Sequence, residues 1–95
     1  MLRFELYRIH LNLVAGKENK SRAQLKALAQ KKEELRQNAV FEYCALLYLE
    51  ALHQKSEEYV QKVCGEIWEI YQKENNSWEI LWFLLYLDKR YDLNQ

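Results

Sequence analysis

The sequence predicts an all-α fold, a five-helix antiparallel array stacked as an α-solenoid, and three observations predict it. The chain has no proline, only Gly16 and Gly65 as glycines, and abundant Leu, Glu, Lys, Gln and Ala, a composition whose intrinsic propensity favours helix over strand. Apolar residues recur at helical spacing through most of its length. Finally, Leu46-Leu47-Tyr48-Leu49-Glu50 returns as Leu84-Leu85-Tyr86-Leu87-Asp88, a displacement of 38 positions. A period between about 20 and 50 residues marks stacked supersecondary units, each too small to bury its apolar face without a neighbour. The same offset sets Ile9-His10-Leu11-Asn12 under Leu47-Tyr48-Leu49-Glu50 and carries Asn38 onto Asn76.

The first helix is expected over 2–15, where Leu2, Leu6, Ile9 and Leu13 form one stripe, and Gly16 stops it by adopting the left-handed conformation. Residues 17–20 then read as a solvated turn. Ser21 with Gln24 three positions on has the form of a capping box and opens a second helix, thin in apolar content, that ends near Arg36. Asn38 is a good N-cap for a third helix over 39–53, apolar on nearly every side and therefore central. No glycine or proline enforces the break between the two, so a single helix over 22–53 is the alternative. Ser56 caps the fourth helix, with Glu57 and Glu58 in its first turn and a stripe of Val60, Val63, Cys64, Ile67, Ile70 and Tyr71. Asn76 with Glu79 forms another capping pair and opens the fifth, which runs to about Tyr91. Strongly apolar helices starting near Leu2, Ala39 and Trp78 thus alternate with more polar ones starting near Arg22 and Glu57. Short connections force neighbours to pack antiparallel.

With 95 residues, 49% of them hydrophobic, the chain forms one domain over 1–95. The longest apolar run, 80–87, is closed by Glu79 and Asp88 and falls well short of the roughly 20 residues that span a bilayer. Arg3, Glu5 and Arg8 interrupt any signal-peptide core, so the expected location is the cytoplasm. Cys44 and Cys64 lie within helical apolar patterns and read as buried thiols in a reducing compartment, the alternative being one disulfide between neighbouring helices.

The search for chemistry returns little. His10 and His53 have no second ligand at metal-binding spacing, and no nucleotide signature or cofactor motif is present. His53 is explained by the negative end of the third helix's dipole, and Glu57 and Glu58 by the positive end of the fourth's. The reading is therefore non-enzymatic, with no catalytic, metal-binding or cofactor-binding residue and no cofactor. Charge is balanced overall but uneven. Residues 17–36 hold seven basic side chains against three acidic, whereas 37–95 hold five against ten. Lys26, Lys31, Lys32 and Arg36 make a nucleic acid or anionic surface the alternative partner. That alternative is disfavoured because no aromatic interleaves the basic residues and Glu33 and Glu34 interrupt them.

The last helix points instead to protein. Apolar residues surround its circumference, yet only two neighbouring helices are available to cover it. Leaving two or three such side chains in water forfeits several kcal/mol at about 25 cal/mol per Å². The expectation is that the chain is part of a longer helical-repeat protein whose remainder covers this face, with self-association through the fifth helix as the competing account. Trp78, Trp82, Phe83, Tyr86 and Tyr91 are the anchors expected to bind a protein partner.

The segment 75–88, Asn-Asn-Ser-Trp-Glu-Ile-Leu-Trp-Phe-Leu-Leu-Tyr-Leu-Asp, with the preceding Ile70-Tyr71-Gln72-Lys73, resembles a family of large uncharacterised proteins of anaerobic Gram-positive bacteria, a domain of unknown function. The resemblance implies an internal helical region of a much longer polypeptide and brings no activity with it. Tetratricopeptide-like hairpins are the nearest familiar architecture, although their period is about 34 and their Trp, Leu-Gly, Tyr and Pro markers are absent here.

Overall fold

The structure, a computed structural model, describes residues 2–73 and 78–91. Those residues form six helices: α1 (Leu2–Val14), α2 (Glu18–Ala29), α3 (Lys32–Asn38), α4 (Val40–Gln54), α5 (Glu57–Lys73) and α6 (Trp78–Tyr91). The fold is all-α, with six helices where five were expected. What was read as one second helix is two, and a continuous helix over 22–53 does not form. The break owes nothing to glycine or proline. Gln30 and Lys31 turn back onto the carbonyls of Ala27 and Leu28, a tightened last turn, and Lys31 leaves the helical region at φ −99°, ψ 15°. Tertiary packing explains the bend: α2 lies on α1 and α4, whereas α3 swings onto α4, burying Leu35 and placing Lys32 Nζ 2.8 Å from Glu50 Oε1.

The capping residues are partly reassigned. Ser21 does not open α2, which begins three residues earlier at Glu18, so the supposed solvated turn is already helical. Ala39, not Asn38, stands at the N-cap of α4, with extended backbone at φ −146° and no side-chain cap, while Asn38 closes α3. Ser56 does cap α5, its hydroxyl accepting the Tyr59 amide at 3.3 Å. Asn76 lies outside the described residues. At the end of α1 Gly16 has φ 86°, and two bonds, Gly16 N–H to Leu13 O at 3.2 Å and Lys17 N–H to Asn12 O at 2.8 Å, complete a Schellman motif.

α4 is the central helix, in contact with all five others, and its Tyr43, Cys44, Leu46, Leu47, Tyr48, Leu49 and Leu52 are buried. α1 and α6 lie on either side of α4; α2 packs on α1, and α5 on both α4 and α6. The molecule is 19 Å thick against 32 and 31 Å in its other dimensions, the depth of two helix layers. Cys44 is buried and Cys64 half-buried, both as separate thiols.

Candidate interaction groove

Polar side chains fix how the helices sit around α4. At one end Arg3 of α1 lies 4.2 Å above the Phe41 ring and donates to Glu42 at 2.7 Å, with Glu79 of α6 at 3.8 Å, so one guanidinium joins three helices. At the other end Glu50 takes Lys32 from α3 and accepts the Tyr59 hydroxyl of α5 at 3.2 Å. Burial and the Glu50 carboxylate push the Tyr59 phenol up to about 12. Tyr43 donates to Glu66, tying α4 to α5, and its phenol is raised by burial and by that carboxylate.

Beneath α1 and α2 lies a buried polar pair. Ser21 Oγ donates to the Ile9 carbonyl at 2.8 Å and stands 2.8 Å from His53 Nε2. The hydroxyl has one hydrogen and a carbonyl can only accept, so Nε2 carries the imidazole proton and donates to Ser21. His53 Nδ1 is buried and meets no hydrogen-bond partner among the described residues. Desolvation, then Arg22 and Lys55, hold the imidazole below its usual pKa against the opposing pull of Glu18. Burial thus weighs against the cationic form that would favour the negative end of the helix dipole.

These ties leave a groove with apolar walls between α1 and α6, floored by α4 and holding a cavity of about 120 Å³. Tyr7 and His10 form one wall, Trp82 the other, and Phe41, Tyr48 and Phe83 the floor. Three rings of equivalent register, His10, Tyr48 and Tyr86, form a ladder across the helices with successive centroids 5.6 Å apart, each meeting edge to face. Trp82 stacks on Tyr86 at 5.3 Å and meets Tyr48 edge-on, yet remains 49% exposed. From Tyr7 an exposed stripe runs along α1 through Phe4, Leu11 and Val14, and Trp78 and Leu85 are exposed on α6.

The expected anchors thus divide. Trp78 and Trp82 present themselves to solvent and Tyr86 is partly covered, but Phe83 is buried against Phe41 and Tyr48 and shapes the groove from below. The side chain of Tyr91 lies outside the described residues. Tyr7 and the α1 stripe were missed in the sequence because Leu2, Leu6, Ile9 and Leu13 satisfied the helical pattern. A second stripe at spacings of three, four and three was equally present. The basic residues are spread out. Lys32 is engaged by Glu50 and Arg36 by Glu33 at 3.4 Å, while Lys26 and Lys31 border two separate shallow clefts. Among the described residues no group of three or more potential metal ligands occurs, and no helix is long and apolar enough to cross a membrane.

Fold and groove together define a small all-helical domain organised around one central helix, with an apolar aromatic face open on two others. The chain belongs to a family of unknown function, DUF5717, whose N-terminal model matches residues 1–95. No curated protein and no solved structure matches it.

Proposed function

We propose that this domain is a non-enzymatic helical-repeat module that binds protein through the groove between α1 and α6. The observation carrying the reading is the aromatic groove itself: Tyr7 and Trp82 stand exposed across a floor that is already packed. Large aromatic side chains in such a position bring contact area at low entropic cost. Two features support the repeat: the ring ladder at the 38-residue register and a two-layer thickness. The name of the family model, an N-terminal one, favours a partner within a longer polypeptide. The non-enzymatic reading draws on the state of the candidate acids and bases. Glu50 is held by Lys32 and Tyr59, His53 Nε2 is held by Ser21, and His53 Nδ1 is buried.

A photo-crosslinking residue placed at Tyr7 tests the groove. The expected result is a polypeptide crosslink that survives raised salt and disappears in Trp82→Ala. A crosslink abolished by salt and by Lys26→Glu with Lys31→Glu, but retained in Trp82→Ala, would move the binding surface to the basic helices and favour an anionic partner.

A further inference from the structure

At one register of the 38-residue step, α1 and α4 bury the apolar residue and α6 does not. Ile9 and Leu47 are 2% and 3% exposed; their counterpart Leu85 is 58% exposed. Ile9 lies under α2, the helix that follows α1 and packs on it. Polar positions behave in the same way. Asn12 bonds to Gln24 of α2 at 2.8 Å, and its counterpart Glu50 accepts from Tyr59 of α5 at 3.2 Å. The third counterpart is Asp88. Glu50 is held from two sides, by Lys32 of the helix before α4 and by Tyr59 of the helix after it. Asp88 has the preceding helix on one side, where burial and, after it, the Asp88 carboxylate raise the Cys64 thiol of α5.

We infer that Leu85 and Asp88 form the seat of a further amphipathic helix, following α6 in the same polypeptide and lying antiparallel to it as α2 lies on α1 and α5 on α4. Continuity with those two internal interfaces carries the assignment, because α6 repeats both the apolar and the polar position that each of them uses. The chemistry of the occupant follows from the helices it copies. Its inner stripe is aliphatic, like Val60, Val63 and Ile67, which are buried in α5. Near its start stands a hydrogen-bond donor for Asp88, as Tyr59 stands in α5 for Glu50. An incomplete third unit also accounts for why a side chain as large as leucine is exposed at this register in α6 alone.

The inference rests on the repeat reading but uses residues outside the groove, so the two fail separately. A Tyr7 crosslink unaffected by Leu85 variants would leave the groove proposal standing whatever happens here. The test compares hydrogen exchange of the α6 amides in the 95-residue chain and in the polypeptide extended through the residues that follow, each with and without Leu85→Asp. In the extended polypeptide α6 is expected to gain at least roughly tenfold protection, about 1.4 kcal/mol. Leu85→Asp should remove that gain while leaving the shorter chain folded and little changed, and Leu85→Met should retain it. Equal α6 protection in both lengths would overturn the assignment. So would a gain that Leu85→Asp does not touch, or protection of the shorter chain that rises with its own concentration, which would make a second copy the occupant.

Discussion

Single residues decide the joints between the helices, and two glycines make opposite predictions. Gly16 holds φ 86° with open space around it, so an added methyl would meet no neighbour and only the backbone would resist. Gly16→Ala should cost about 1 kcal/mol. Gly65 lies mid-helix in α5, also with open space, and Gly65→Ala should add about 0.8 kcal/mol by restricting the unfolded chain. Urea midpoints of the two variants, displaced in opposite directions, check the pair. Lys55 ends α4 with φ 56°, a left-handed conformation without glycine. Its bond to Glu18, 3.5 Å between exposed side chains, adds little. Lys55→Gly should therefore stabilise by about 0.5–1 kcal/mol, visible as a raised thermal midpoint.

His53 gives the molecule its pH dependence near neutrality. Burial lowers its folded-state pKa beneath the ordinary imidazole value of 6.5, so the unfolded chain takes up the proton first as pH falls. Stability is then full above about pH 6.5 and declines below it. Urea unfolding at pH 7.5 and 5.5 should show that loss, and His53→Gln, which keeps a donor toward Ser21 but does not titrate, should flatten it. Neither residue's role was legible in the sequence. Ser21 followed by Gln24 satisfies a capping pattern, yet its hydroxyl serves Ile9 and His53, contacts separated by 12 and 32 positions. A local pattern carries no mark of such distant partners.

At the scale of elements, local periodicity identified what packing did not override. α1, α4, α5 and α6 lie within a residue or two of their expected bounds because each has a strong apolar stripe or a clear stop. The exception is 18–38, whose apolar content is thin and whose bend comes from α4 underneath. Leu35 is the buried residue that holds α3 on α4, and Leu35→Ala should cost about 2–4 kcal/mol. Leu46→Ala, fully inside α4, should cost a similar or greater amount, whereas Leu85→Ala should stay within about 0.5 kcal/mol in the 95-residue chain. Chemical denaturation of the three variants orders them.

Across the whole molecule, the five-residue echo was the signal that reached furthest. It placed His10 under Tyr48 and Tyr48 under Tyr86, and those rings touch. It could not reveal the groove, which depends on the distance between α1 and α6 and therefore on Arg3, Phe41 and Glu79 meeting at one end. Nor could it separate Phe83 from Trp82: both are aromatic on the same helix, one position apart, and only packing against Phe41 and Tyr48 makes the first a floor and leaves the second a wall. The central claim is that this open aromatic face is where polypeptide docks. Acrylamide quenching of Trp82, with Trp68→Phe and Trp78→Phe removing the other two indoles, measures it directly in the domain alone and in the presence of the polypeptide that crosslinks to Tyr7. The account predicts ready quenching in the first and strong shielding in the second; equal quenching in both would contradict it.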